Sequence, residues 1–214
     1  MTNRKVFIVK LVRGCMEDLK QILNRVYANT DSKKWKDLDD IAAHIEELKG
    51  MAYGDVTTGL KNRRFFDETL EKEVSRAHRA EGKLSLILLD IDHFKKFNDS
   101  YGHKAGDYVL GCIGGIIKAS LRTGDTPCRY GGEEVGVILP DTDENGAYRA
   151  AEKIRKNVAA ATLKYDSGNL GNVNVSLGIA GYGGGDVDTF VKRADSALYL
   201  AKERGRNRTV VSEN

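Results

Sequence analysis

The sequence has little proline, little cysteine and no long apolar stretch, and each shortage excludes a class of protein. Only 2 of its 214 residues are proline, which excludes proline-rich and collagen-like chains. Its 3 cysteines are widely spaced. They form neither a disulfide framework nor a zinc or redox motif, which favours a reducing compartment. No stretch reaches the roughly 18 apolar residues of a membrane span. We therefore expect a cytoplasmic protein with no signal peptide and no membrane segment in this chain.

The charges are nearly balanced. The chain has 34 Lys and Arg against 31 Asp and Glu, a formal net charge of +3. This balance argues against a polybasic nucleic-acid-binding protein and against an acidic disordered tail, so no nucleic-acid partner is expected. A hydrophobic content of 41% with 30% charged residues is typical of a globular protein. The 23 glycines are an excess, which predicts tight turns or backbone that a ligand approaches closely.

Two amphipathic helices are predicted before the main domain. Residues 4–28 carry apolar side chains at a period close to 3.6. A second helix follows, with a 3-4-3-4 apolar spacing from Leu38 to Ala52 that lasts about two heptads. The helices either pack on their own domain or form a stalk that pairs two subunits. We predict a helical segment over residues 1–52 and a main domain over residues 53–214.

The main domain shows an alternation of helical and strand patterns. Helices are predicted at 63–80, 94–98, 104–121, 145–160 and 186–204, and strands at 84–89, 128–130, 135–139, 173–180 and 209–211. The β-α-β-β-α-β order predicts an α+β palm, with a mixed or antiparallel sheet and helices on one side.

Three carboxylates form a candidate metal site. Asp90 comes where the first strand runs out, and Glu133 and Glu134 lie in the hairpin turn beside two glycines. Converging carboxylates supply the hard oxygen ligands that Mg²⁺ prefers. From spacing alone, a capping Asp and an ordinary turn remain the alternative.

The turn is also where a family resemblance becomes visible. The run from Arg129 to Val135, Arg-Tyr-Gly-Gly-Glu-Glu-Val, resembles the signature of the GGDEF family of bacterial diguanylate cyclases. Residues 55–64, 89–99, 101–107, 176–180 and 194–208 resemble its other motifs, in order and at family spacing, so the match covers about residues 53–211. Val135 replaces the usual Phe or Leu, and Thr57 stands where Leu is common.

The resemblance implies a palm with a central, mainly antiparallel five-stranded sheet surrounded by helices. It implies a Mg²⁺-dependent reaction that condenses two GTP into cyclic di-GMP and two pyrophosphates at the interface of a two-fold homodimer. Two Mg²⁺ ions are expected in each half-site, with Mn²⁺ as a substitute. The implied ligands are Asp90, the Ile91 carbonyl, Glu133 and Glu134, and Glu133 is also a candidate base.

The resemblance also implies residues that bind the nucleotide. Asn98 and Asp107 are expected to read guanine, and Asp107 argues against adenine. Phosphates are expected at Lys202, Arg206 and the backbone amides of Phe94 and Lys95, and close approach of the nucleotide at Gly131 and Gly132.

Arg122 and Asp125 resemble the family's Arg-x-x-Asp site, at which bound cyclic di-GMP inhibits its own synthesis. Lys153 or Arg155 is a candidate second contact with the product, and the sequence does not choose between them.

Two other functions remain open. The chain could be a catalytically silent cyclic di-GMP receptor acting through Arg122 and Asp125, although such receptors tend to lose the active-site motif that is kept here. It could also be another GTP-using nucleotidyl cyclase or a hybrid dinucleotide synthase, and Asp107 argues against the use of adenine.

Overall fold

A computed structural model describes residues 52–166 and 168–213 of the chain. The two helices predicted before the main domain lie, apart from Ala52, outside these residues. Among the residues described, no helix is both long and apolar enough to cross a bilayer.

Five helices and seven strands follow one another along the described chain. They are α1 (Arg63–Ala80), β1 (Leu84–Ile91), α2 (Phe94–Tyr101), α3 (His103–Ser120), β2 (Thr126–Arg129), β3 (Glu134–Pro140), α4 (Glu144–Ala159), β4 (Lys164–Tyr165), β5 (Gly168–Asn169), β6 (Val175–Gly181), α5 (Val187–Glu203) and β7 (Thr209–Val211). The main-domain helices and the strands of the predicted palm are confirmed, with ends that differ by a few residues.

The main sheet has five strands in the order β2-β3-β1-β6-β7. All neighbours are antiparallel except β6 and β7, which are parallel, so the expectation of a mainly antiparallel sheet is confirmed. The central strand β1 is buried at every position. In the register of the sheet, Asp90 of β1 lies opposite Glu134 on one side and Ser176 on the other.

Helices cover both faces of the sheet. This confirms the sheet surrounded by helices that the resemblance implied, whereas the prediction from element order, helices on one side, is wrong. Ile87, Leu89 and Ile91 of β1 join one apolar cluster with residues of α3 and α4. Leu86 and Leu88 join a second cluster with residues of α1 and α5. Successive strand side chains point to opposite faces, so a strand that is apolar throughout needs cover on both sides.

Two other details of the sequence-based prediction need correction. Strand β1 continues to Ile91, so Asp90 lies within the paired part of the strand and not beyond its end. The sequence analysis also missed the hairpin of β4 and β5. Each strand of that hairpin has two residues, too few to show an alternating pattern.

Local hydrogen bonds explain where three of the helices begin. Asn62, Asp143 and Asp186 precede α1, α4 and α5, and each side chain accepts a bond from a backbone N–H in the first turn. Helix α2 begins differently. Its preceding residue, His93, has a left-handed backbone (φ 59°) and no side-chain capping bond.

Gly114, inside α3, has a packing role. A Cβ atom at this position would lie 2.1 Å from the carbonyl oxygen of Thr58. The next residue, Gly115, has no atom within 4 Å of the corresponding position. The loop before α1 therefore packs directly against α3, and that contact requires a glycine at one of the two positions only.

This difference gives a matched pair of substitutions. Gly114→Ala should lower the free energy of unfolding by about 2 kcal/mol, because the new methyl group overlaps a backbone oxygen. Gly115→Ala should raise it by roughly 0.5–1 kcal/mol, because alanine favours the helix and meets no neighbour. Urea unfolding of both variants measures the difference, and equal effects would contradict the packing of the loop on α3.

Candidate active site

Two carboxylates meet at the centre of the sheet. Asp90 is only 9% exposed and pairs across the strands with Glu134, the first residue of β3. Burial raises the pKa of Asp90, although the nearby Lys202 opposes the shift. Burial also raises the pKa of Glu134, and the negative charges of Asp90, Asp195 and Glu133 raise it further. This part of the sheet therefore holds a crowded negative charge that a cation would stabilise.

A lysine from α5 lies directly on this acidic pair. The Lys202 ammonium nitrogen is 2.8 Å from Oδ2 of Asp90. Helix α5 comes this close to the sheet because residue 178 of β6 is glycine: a Cβ there would lie 2.1 Å from the backbone nitrogen of Leu198. The predicted metal ligand Asp90 and the predicted phosphate ligand Lys202 are thus brought into contact.

The loop after α5 carries the second predicted phosphate ligand. Gly205, Arg206 and Asn207 have successive φ angles of 104°, 61° and 44°, all in the left-handed region. The Arg206 N–H donates to the Ala201 carbonyl at 3.0 Å, and the Asn207 N–H donates to Asp92 at 3.0 Å. The positive charge of Arg206 opposes the upward shift that burial gives the pKa of Asp90, as Lys202 does.

The turn between β2 and β3 is fixed by Arg129. Its guanidinium donates to the carbonyls of Gly131 and Gly132, at 3.2 and 2.8 Å, and forms an ion pair with Asp55 at 3.1 Å. Neither of the two glycines has a left-handed backbone. A Cβ at Gly131 would lie 2.5 Å from Oε2 of Glu134, whereas the position at Gly132 faces open space. A side chain at residue 131 would therefore displace the Glu134 carboxylate from its present position.

A second arginine supports the same turn from α1. The Arg63 guanidinium lies 3.5 Å from the centre of the Tyr130 ring and donates to the Tyr130 carbonyl at 3.2 Å. Stacking of this kind restricts both side chains. Arg63 therefore fixes Tyr130, the residue before the two glycines, through both its ring and its backbone carbonyl.

The predicted guanine-reading residues lie together on α2 and α3. Asn98 packs against Gly106, where a Cβ would lie 2.0 Å from Oδ1 of Asn98. That oxygen is buried and has no hydrogen-bond partner among the described residues. Asp107, the next residue on α3, is exposed. The unpartnered amide oxygen of Asn98 and the Asp107 carboxylate are acceptors, and the amide nitrogen of Asn98 is a donor, so the two side chains carry both kinds of hydrogen-bonding group that a guanine edge requires.

The residues at the acidic pair fit a magnesium ion in type but are not gathered around one. In the described part of the chain, no group of three or more His, Cys, Asp or Glu residues is close enough to hold a metal. Asp90 is paired with Lys202 instead. Even so, Asp90 and Glu134 are adjacent hard oxygen ligands with unfavourable mutual charge, which is the chemistry that Mg²⁺ matches. Of the other two implied ligands, Ile91 follows Asp90 in the same strand and Glu133 immediately precedes β3.

The predicted Arg-x-x-Asp site borders a separate cavity of about 540 Å³. The side chain of Asp125 is almost fully buried and pairs with Arg122 at 2.9 Å. Arg122 also donates to Thr142 at 2.6 Å. Lys153 lines the cavity, whereas Arg155 does not. The sequence analysis missed two further cations of the lining, Lys83 and Arg149, which lie far from the motif in sequence and carry no local signal.

The fold and this arrangement define a nucleotidyl-cyclase-like palm, and comparison with known proteins identifies its family. Residues 52–208 match the family described as "Diguanylate cyclase, GGDEF domain". The chain is 42% identical over 171 residues to diguanylate cyclase DgcP of Pseudomonas aeruginosa, covering 79% of this chain and 25% of DgcP. It is 40% identical over 179 residues to diguanylate cyclase A of Treponema denticola, covering 81% of this chain and 48% of that protein.

A solved structure agrees with the sequence relatives. The coiled coil and GGDEF domain of DgcB from Caulobacter crescentus, in complex with c-di-GMP, superposes with a TM-score of 0.77 at 33% identity. The match covers 85% of this chain and 96% of that one. The chain belongs to the GGDEF domain family, and it spans between a quarter and a half of the length of the two curated relatives.

The ion pair of Asp55 and Arg129 predicts an acid-dependent stability. Burial raises the pKa of Asp55, but hydrogen bonds from Thr58 and Arg129 outweigh it, so the pKa lies below its usual value of 3.8. A lowered carboxylate pKa stabilises the fold above 3.8, and this contribution is lost as the pH falls through the folded-state pKa. Asp55→Asn should therefore lower the free energy of unfolding at pH 7 by about 2 kcal/mol.

The same substitution should cost less as the pH falls below 3.8, because the wild-type carboxylate is then protonated too. Urea unfolding between pH 3 and 7 measures the difference. Asp67→Asn is the control, since Asp67 pairs with Arg63 in an exposed contact and should change stability by no more than about 0.5 kcal/mol. A pH-independent cost for Asp55→Asn would contradict the ion pair.

Proposed function

We propose that this chain is the catalytic domain of a diguanylate cyclase that condenses two GTP into cyclic di-GMP and two pyrophosphates. One observation carries the proposal: buried Asp90 lies opposite the half-buried Glu134 across the sheet and forms an ion pair with Lys202, a side chain suited to binding phosphate. The glycine turn, the residues suited to guanine and the activity named for the relatives support the same reaction.

In the proposed complex, the base, ribose and phosphates of GTP bind to these groups in turn. Guanine binds between Asn98 and Asp107, whose amide and carboxylate offer complementary hydrogen bonds. The ribose and α-phosphate pass the turn at Gly132, where a side chain would fill the open space. The β- and γ-phosphates reach Lys202 and Arg206, assisted by the backbone amides of Phe94 and Lys95 at the start of α2, which the side chain of His93 leaves uncapped.

The chain's own residues then prepare the reacting atoms. Mg²⁺ held by Asp90, Glu134, Glu133 and the Ile91 carbonyl would neutralise phosphate charge and acidify the attacking 3′-hydroxyl. Glu133 accepts the hydroxyl proton. The 3′ oxygen bonds to the α-phosphorus of the second GTP, the bond between the α- and β-phosphates breaks, and pyrophosphate leaves on the cations Lys202 and Arg206.

One described site of this kind holds one nucleotide, so the reaction needs two copies facing each other. We propose a two-fold homodimer in which each GTP attacks the other. Residues 1–52, with their short apolar seam, are the proposed pairing segment. The DgcB structure, which contains a coiled coil and a GGDEF domain, supports this arrangement.

The silent receptor is the second candidate function. The cavity beside Arg122 and Asp125 favours it, because a receptor needs only that site. The retained pair of Asp90 and Glu134 favours the enzyme, because a receptor has no use for a buried, mutually repelling pair of carboxylates.

Turnover of GTP tests the proposed function. Incubation with GTP and Mg²⁺ should give cyclic di-GMP and pyrophosphate, separated by chromatography, at a rate that rises with protein concentration as the dimer forms. Glu134→Gln should reduce turnover by at least about 1000-fold, because a preorganised charged group at the reacting centre is lost. The fold should persist, since the substitution also removes repulsion from Asp90.

The control is Asp99→Asn, which removes an exposed carboxylate of α2 and should leave turnover near wild type. Binding of cyclic di-GMP without any synthesis would favour the receptor. Full activity of Glu134→Gln would contradict the assignment of Glu134.

We further propose that Arg122, Asp125 and Lys153 bind the cyclic di-GMP that inhibits the enzyme. Arg122 lies on the rim of the cavity with 57% of its side chain exposed, so its guanidinium can bind a phosphate. Lys153 donates to the Ser120 carbonyl at 2.9 Å and lines the same cavity. Between the two candidates left open by the sequence, the cavity favours Lys153, because the Arg155 guanidinium is bound to Glu152 and Asn207.

The choice can be tested by product binding. Lys153→Ala should weaken cyclic di-GMP binding about tenfold, the loss of one charged hydrogen bond, whereas Arg155→Ala should leave it unchanged. Calorimetric titration with cyclic di-GMP measures both affinities. Weaker binding in Arg155→Ala with normal binding in Lys153→Ala would reverse the assignment.

A further inference from the structure

The loop at Gly205, Arg206 and Asn207 has an unusual backbone for its composition. Its three successive residues are left-handed, and two of them are not glycine. Non-glycine residues adopt this conformation at a cost and keep it only where their surroundings impose it. All three are exposed, so burial in the core does not fix the loop. Hydrogen bonds must therefore hold it, and two of them come from side chains that the proposed function leaves without a role.

The first of these side chains is Asp92. Its Oδ2 accepts the backbone N–H of Asn207 at 3.0 Å, and its Oδ1 accepts the hydroxyl of Ser176 at 2.7 Å. The hydroxyl belongs to a fully buried residue of β6. Asp92 therefore ties the backbone of the loop to the sheet, two residues beyond Asp90.

The second side chain is Arg155 of α4. Its Nη1 donates to the side-chain oxygen of Asn207 at 2.9 Å. Its other nitrogens donate to both carboxylate oxygens of Glu152, at 2.8 and 2.9 Å. Glu152 also accepts the Thr209 hydroxyl at 2.8 Å, which fixes the pair against β7. A guanidinium held by two parallel bonds has little freedom, so it presents a fixed donor to the loop.

We propose that Asp92 and Arg155 are positioning residues for GTP binding: together they hold the loop so that Arg206 faces the phosphates. Asp92 fixes the backbone of Asn207 and Arg155 fixes its side chain, and Arg206 is the preceding residue. Neither side chain has to touch the nucleotide. The inference rests on the proposed function, because it assigns Arg206 to the phosphates of GTP.

Lys153 and Arg155 lie on the same helix, α4, but contact different sites. Lys153 lines the cavity next to Arg122, while Arg155 reaches the phosphate-binding loop. Helix α4 thus contacts both the proposed product site and the proposed substrate site, through side chains two residues apart.

The experiment compares two nucleotides that differ in their phosphates. Calorimetry with Mg²⁺ measures the affinity for a non-reacting GTP analogue and for GMP, and their ratio reports the contribution of the β- and γ-phosphates. Arg155→Ala should reduce the affinity for the GTP analogue about tenfold and leave the affinity for GMP unchanged. Asp92→Ala should act in the same direction. Arg155→Ala, which changes a partly exposed side chain, carries the test if Asp92→Ala does not fold.

A double variant tests whether Arg155 acts on phosphate binding through Arg206. In Arg206→Ala, which has already lost the phosphate contact, adding Arg155→Ala should change neither affinity further. Lys156→Ala is the matched control, because it removes one positive charge from an exposed position beside Arg155 on α4. It should leave both affinities at the wild-type values.

The inference is overturned if Arg155→Ala loses affinity equally for both nucleotides. It is also overturned if the tenfold effect persists in Arg206→Ala, or if Lys156→Ala shows the same loss. If the wild-type protein binds GMP and the GTP analogue equally well, Arg206 does not bind the phosphates. That result would overturn both this inference and the proposed function. A wild-type protein that prefers the analogue, with an unaffected Arg155→Ala, would overturn this inference alone.

Discussion

The contact of Asp90 with Lys202 is the interaction on which the rest of the site depends. A carboxylate within the central strand of a sheet is costly to bury without a cation. Lys202 supplies that cation at 2.8 Å, and it can do so because α5 packs closely on β6 at Gly178. In the proposed function the same pair would separate, with Asp90 binding Mg²⁺ and Lys202 binding phosphate.

The surroundings of this pair are fixed from three directions. Arg129 ties the glycine turn to Asp55, in the loop that packs on Gly114. Asn98 is held against Gly106 on the guanine side. Asp92 and Arg155 hold the loop that carries Arg206. Except for the contact of Asn98 with Gly106, these contacts link elements distant in sequence, so the geometry of the site depends on the packing of the domain.

Much of this could be predicted from the sequence because the signals are local. The apolar run of β1 and the 3.6-residue period of α3 gave the main elements, and the turn from Arg129 to Val135 led to the family. The contacts of Lys202 with Asp90 and of Arg155 with Asn207 could not be predicted, because they depend on how distant helices pack on the sheet. The family resemblance implied cover on both faces, whereas the element order alone did not, because only packing shows which helix covers which face.

The central claim is that Asp90 and Lys202 separate when substrate binds, the carboxylate going to the metal and the ammonium to the phosphates. A crystal structure with Mg²⁺ and a non-reacting GTP analogue tests it most directly. The account predicts a metal ion on Asp90 and Glu134, with Lys202 within hydrogen-bonding distance of the β- or γ-phosphate. A bound nucleotide whose phosphates lie elsewhere, with Lys202 still on Asp90, would contradict it.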